Sequence, residues 1–165
     1  MTRLLHPVPL TTEAFAPFGD VVEAAGLSLS INHGATQKFA DLARIALGED
    51  GRAAVHLYRS TPPAFPFALG VMENHPLGSQ MFMPLSGRPY LVVVALAGPF
   101  DPLAVRAFVA GAGQGVNLAP GVWHHFNLAL GGVSDFLVID REGPGENCEE
   151  IALDGSLLLA APETT

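Results

Sequence analysis

Glycine and proline break this chain so often that long helices are excluded over most of it: 18 glycines and 14 prolines fall among 165 residues. Inside a helix each glycine costs about 1 kcal/mol and each proline about 3 kcal/mol relative to alanine. Between the breaks lie short apolar stretches of strand length. The spacing predicts strands near 21–23, 28–32, 53–59, 68–75, 79–84, 90–97, 105–109, 115–118, 122–130, 135–140 and 149–153. Thr11-Thr12-Glu13-Ala14-Phe15 reads as a capped helix start, ended by Pro17 and Gly19. Residues 41–47 read as either a short helix or a further strand. No strand–helix alternation and no fixed repeat is present. The glycines of Gly111-Ala112-Gly113-Gln114-Gly115 open no helix, and Pro120 soon follows, so they are not read as a phosphate loop. The expected architecture is all-β, a jelly-roll sandwich or barrel with one or two short helices, forming one domain over residues 1–165.

Composition narrows the function classes. Apolar residues make up 49% and charged residues only 15%, which excludes a disordered tail. The net charge of −8 repels a phosphate backbone, so no nucleic-acid partner is expected. The single cysteine, Cys148, has no internal disulfide partner and fits a reducing compartment. The first residues lack the apolar core of a signal peptide, and the longest apolar run, 90–97, is far short of the ~20 residues that span a bilayer. The expectation is a cytoplasmic protein without a membrane partner.

Two segments carry chemistry. In Glu73-Asn74-His75-Pro76-Leu77-Gly78-Ser79-Gln80, side-chain alternation puts Glu73 and His75 on one face of a strand. Pro76 and Gly78 turn the chain, and Gln80 opens the next strand with Phe82 on its face. Two antiparallel strands thus gather a carboxylate, an imidazole and an amide. In Pro120-Gly121-Val122-Trp123-His124-His125, one histidine faces inward and the other away. Cys148 has no recognisable base and is not read as a nucleophile.

These segments resemble the two motifs of the cupins. The first matches as Glu73-x-His75, four residues, Gln80, six residues, Gly87; the second as Pro120, Gly121, two residues, His124. Glu73 stands where the cupin pattern has a histidine, Gln80 stands where it has a glutamate, and the Pro–Gly spacing is one residue shorter. The resemblance implies a metal site of His75, His124, Gln80 and Glu73. Two nitrogens and two oxygens suit a borderline divalent ion: nickel foremost, with zinc, manganese and iron as the others. The neutral Gln80 implies weak binding. The resemblance also implies a homodimer, and the low charge fits a surface partly reserved for a second copy.

A closer resemblance is to the ureidoglycolate lyase family, enzymes of allantoin breakdown. It is carried by residues 73–82, Ile31-Asn32-His33-Gly34, Phe39-Ala40-Asp41-Leu42-Ala43, Gly115-Val116-Asn117, Val122-Trp123-His124-His125, residues 135–141, and Asn147-Cys148. Asn74 replaces a common basic residue and Phe126 a common proline. Asn74 is expected to face away from Glu73 and His75, and Phe126 to share the face of His124. The resemblance implies a lyase that splits ureidoglycolate into glyoxylate and urea. Glu73, His75 and His124 would be catalytic, and Asn32, Arg59 and His125 would bind substrate. The alternatives are another metal-dependent cupin enzyme, an isomerase or dioxygenase, and a non-enzymatic cupin that binds a small carboxylic acid.

Overall fold

A computed structural model describes residues 2–163. Five strands form one antiparallel sheet, in the order Gly19–Val22, Gly115–Leu118, Gln80–Pro84, Ser134–Glu142, Arg52–Ser60. A second sheet runs Glu149–Ala152, Val71–Asn74, Trp123–His124, Tyr90–Ala95, Arg106–Ala110, Val8–Pro9, with Leu128–Ala129 also paired to Tyr90–Ala95. From Val71 to Ala152 the chain passes back and forth between these two sheets, the winding of a double-stranded β-helix. The all-β, jelly-roll expectation is borne out.

Burial follows the pairing. The strand Tyr90–Ala95 is buried at all six positions. Tyr90, Val92 and Val94 join Phe15, Phe18, Phe82, Phe108 and Phe136 in the core between the two large sheets. Leu91, Val93 and Ala95 join a second core with Leu69, Met72, Trp123 and Leu159. That core lies under a small sheet in which Leu157–Leu159 pairs with Arg3–Leu5 and Phe67–Ala68. Covered on both faces, the strand reads as an unbroken apolar run. By contrast, Ser134–Glu142 alternates between buried and partly buried positions over most of its length, because only one face of its sheet meets a core.

Helical content is small. Thr12–Phe15 is one turn, capped by the Thr11 hydroxyl accepting from the Ala14 N–H at 3.2 Å. Asn32–Gly34 and Pro102–Ala104 are single 3₁₀ turns. None of the described residues forms a helix long and apolar enough to cross a membrane.

Three local expectations differ from what is observed. Residues 41–47 form neither helix nor strand. Side chains in or just before strands of the five-stranded sheet take up their backbone groups instead. The Arg44 N–H donates to Asp20, the Arg44 carbonyl accepts from Asn117, and the Ala46 N–H donates to Ser79 Oγ. The strand expected over 68–75 divides into Phe67–Ala68 and Val71–Asn74, which belong to different sheets. The strand expected over 122–130 divides into Trp123–His124 and Leu128–Ala129. Alternation therefore stops at His124, and Phe126 is half exposed with its ring against His125.

Candidate active site

The site lies at the meeting of both large sheets. Glu73 and His124 are register partners on antiparallel strands, so their side chains leave the sheet on the same side. Asn74, next along the strand, is buried on the opposite side and donates to Glu149 at 2.9 Å, as alternation requires. His75 follows the end of the strand, where its carbonyl accepts from the Gly121 N–H at 2.9 Å. The His75 and His124 ring centroids are 5.2 Å apart. One donor atom from each of Glu73, His75 and His124 lies within 4.8 Å of the others. Gln80 enters from the facing sheet, 4% exposed, on the same strand face as Phe82, whose ring lies 6.4 Å from that of His124.

Hydrogen bonds assign the tautomers. His75 Nδ1 donates to the Asn147 carbonyl at 2.6 Å, which leaves the lone pair on Nε2. His124 Nδ1 faces two acceptors, the His125 carbonyl at 3.4 Å and Glu73 Oε1 at 3.8 Å, so its lone pair is also on Nε2. Among the described residues, both Nε2 atoms are buried without a hydrogen-bond partner, and so is Gln80 Oε1. An unsatisfied buried acceptor costs about 1–3 kcal/mol. The two histidines, gathered with Glu73, form a donor set for a divalent cation, and Gln80 Oε1 is a further orphaned acceptor. A ring nitrogen held by a backbone carbonyl is the usual support of a metal-bound histidine. The residues therefore fit the metal site that the cupin resemblance implies.

Electrostatics separates their roles. Burial foremost, and then the nearby His75, lower the His124 pKa to about 3, so its ring is neutral near pH 7. Its approach to Glu73 is accordingly not an ion pair. Burial holds the Glu73 carboxyl above its ordinary value; His75 opposes this and Glu150 adds to it. Burial, Asp140 and Glu73 together raise the Tyr58 phenol. Burial, Glu73 and Glu150 raise the Cys148 thiol, which disfavours the thiolate a nucleophile needs.

The three expected substrate residues have partners of their own. Asn32 is at the tip of an exposed hairpin, donating to Thr36 Oγ1 at 3.1 Å. Arg59 makes a bidentate pair with Asp135 at 2.7 and 2.9 Å, its side chain 74% exposed. His125 is buried with its ring edge-on to Phe67 at 5.5 Å, and its Nδ1 donates to the Phe126 carbonyl. Conversely, sequence reading passed over His56, Tyr58 and Asp140. His56 Nε2 lies 3.2 Å from Asp140 Oδ1, Gln80 Nε2 donates to Asp140 Oδ2 at 3.5 Å, and Tyr58 packs against Phe82. The usable signal was alternation along Arg52–Ser60, which places His56 and Tyr58 on one face.

The ureidoglycolate lyase family model matches residues 2–160. A ureidoglycolate lyase of Burkholderia mallei is 54% identical over 159 residues, covering 95% of this chain and 94% of that one. Ureidoglycolate lyase 1 of Rhizobium meliloti is 46% identical over 166 residues, covering 99% and 98%. Among solved structures, a dTDP sugar isomerase from Desulfovibrio desulfuricans overlaps 84% of this chain and 87% of its own, with a TM-score of 0.47 and 17% identity. On the extent of the family match and the identity to these relatives, the chain belongs to the ureidoglycolate lyase family.

Proposed function

We propose that this protein is a ureidoglycolate lyase, cleaving ureidoglycolate to glyoxylate and urea in the breakdown of allantoin. The observation that carries the mechanism is the gathering of Glu73, His75 and His124, one donor atom of each within 4.8 Å of the others, with both histidine Nε2 atoms buried and partnerless among the described residues. His75, His124 and Gln80 would hold a borderline divalent ion, nickel foremost, with Glu73 as a further ligand or as the base. When bound, such an ion acidifies the substrate hydroxyl and orients it.

The substrate carbon bears a hydroxyl, a carboxylate and the urea nitrogen. Glu73 removes the hydroxyl proton. The O–H electron pair becomes the second bond of the aldehyde carbonyl, and the C–N pair leaves with the nitrogen. Glu73 then returns its proton to that nitrogen, giving urea, so no redox partner and no net proton is required. A carboxyl raised above its ordinary value is a stronger base than a surface carboxylate and a ready proton donor. Neutral His124 keeps its lone pair for coordination. The net charge of −8 opposes the approach of an anion, so substrate capture rests on local donors. In the chain by itself Arg59 is engaged by Asp135 and His125 packs on Phe67, which leaves the substrate carboxylate to other groups.

The same reading makes the protein one domain, a cytoplasmic homodimer with a small-molecule substrate and no nucleic-acid or membrane partner. The test is urea release by His124→Ala, with folding verified by circular dichroism. A loss of at least about a hundredfold is expected; undiminished release removes His124 from the mechanism.

A further inference from the structure

One part of the fold has no partner. Among the described residues, the hairpin of Leu29–Ile31 and Thr36–Lys38 pairs only with itself, and every residue of both strands is exposed. Leu29 is 59% exposed, and Leu27, just before it, 99%. An isolated two-stranded hairpin is marginal in water. Its tip is also strained: Asn32, His33 and Gly34 follow one another at φ 51°, 58° and 89°. The left-handed region costs a non-glycine residue roughly 1–2 kcal/mol, and such strain collects where function needs it.

A second feature offers what the hairpin lacks. Arg52–Ser60 is the last strand of the five-stranded sheet and, among the described residues, is paired on one side only. It is nine residues long, with Val55 65% and Leu57 71% exposed. A long apolar edge of this kind is a template for another strand. Its opposite side-chain face carries His56 and Tyr58, beside Asp140 and Phe82, and Phe82 in turn lies against His124, so whatever pairs with this edge lies next to the site.

Charge agrees. Residues 27–38 include His33 and Lys38 and no carboxylate, in a chain where acidic residues outnumber Lys and Arg 16 to 8. The site and its rim carry Glu73, Asp140 and Glu150.

We propose that the hairpin of one protomer adds to the free edge of Arg52–Ser60 in a second copy, bringing Asn32 and His33 to that copy's active site. There their amide and imidazole donors take the carboxylate of the small hydroxy acid. The exchange is reciprocal, which makes a closed two-fold dimer. The substrate part of the inference rests on the lyase reading above; the arm exchange does not.

The experiment is complementation between two variants. His124→Ala has an intact arm and a broken site. Asn32→Gly with His33→Gly has an intact site and a bare tip, and glycine keeps the left-handed backbone unstrained. Each alone is expected to lose at least tenfold in urea release. Heterodimers, co-expressed with two tags and purified on both in turn, are expected to regain about half of the wild-type activity, because one site then has both its cluster and an intact arm. Heterodimers no more active than the weaker parents, or a glycine variant with full activity, overturn the exchange. By sedimentation the wild type is expected to be a dimer, and a chain with residues 29–38 replaced by a short glycine linker a monomer. A monomeric wild type, or a dimer that survives the excision, also overturns it. An inactive wild type would instead defeat the lyase reading and leave the sedimentation result to decide the exchange.

Discussion

His75 and Asn147 stand 72 positions apart in sequence, yet the Nδ1 of the first donates to the backbone carbonyl of the second at 2.6 Å. That bond fixes which nitrogen of His75 is free. Asn147 is itself held, because its Oδ1 accepts from the Leu77 N–H at 2.8 Å. Asn147→Ala keeps the carbonyl but releases the loop that presents it. Metal affinity, measured by calorimetric titration of chelator-treated protein with nickel, is expected to fall about 10–100-fold. An unchanged affinity would mean that the His75 ring is oriented by other contacts.

Gln80 stands where the cupin pattern has glutamate. Gln80→Glu supplies an anionic oxygen to the donor set but places it near Asp140, now 3.5 Å from the Gln80 amide nitrogen. Two carboxylates at that range do not both ionise freely. The variant is expected to bind a divalent ion about tenfold more tightly than the wild type at pH 8. The advantage should shrink toward pH 5 as the carboxylate pair takes up a proton. Titration at both pH values checks this, and weaker binding at pH 8 would place Gln80 outside the donor set.

Much of this was legible in the residues. The apolar run within 90–97 pointed to a strand, and Tyr90–Ala95 is one, buried on both faces because two cores meet it. Alternation alone placed Glu73 and His75 together and turned Asn74 away. What escaped depends on partners remote in sequence. Residues 41–47 have the apolar content of a regular element, but Asp20, Asn117 and Ser79 satisfy their backbone, and nothing local announces that. His56 gains its meaning only from Asp140, 84 positions later. The cross-strand pairing of Arg59 with Asp135 likewise depends on a partner 76 positions away.

In metal-free protein, His124 makes stability depend on pH. Its folded pKa is about 3, against 6.5 for the free side chain. Between these values the unfolded chain binds the proton that the folded one refuses. The stabilisation is therefore complete above pH 6.5 and is lost as pH falls toward 3, at up to about 1.4 kcal/mol per pH unit from this group. His125, whose pKa burial also lowers, acts in the same direction. Urea denaturation of chelator-treated protein should show this slope, and His124→Asn should be distinctly flatter. Equal slopes would mean that His124 titrates normally in the folded state.

Arg141 fastens the irregular segment to the barrel. It is 7% exposed and donates from Nε to the Leu47 carbonyl and from Nη2 to those of Glu49 and Pro144. Gly78 admits it closely: a Cβ there would lie 2.5 Å from Arg141 Cβ. Arg141→Met leaves three carbonyls without their donor and is expected to cost about 3 kcal/mol or more in chemical denaturation. Gly78→Ala should be destabilising at the same clamp. Wild-type stability in Arg141→Met would show that the segment is held by its other contacts.

The most direct measurement is the product balance on racemic ureidoglycolate, with urea, glyoxylate and ammonia assayed together. Urea and glyoxylate are expected in equal amounts, without ammonia, because Glu73 returns to the urea nitrogen the proton it took from the hydroxyl. Ammonia with carbon dioxide would mean hydrolysis of the ureido group, and no turnover would mean a different substrate; either result contradicts the lyase reading.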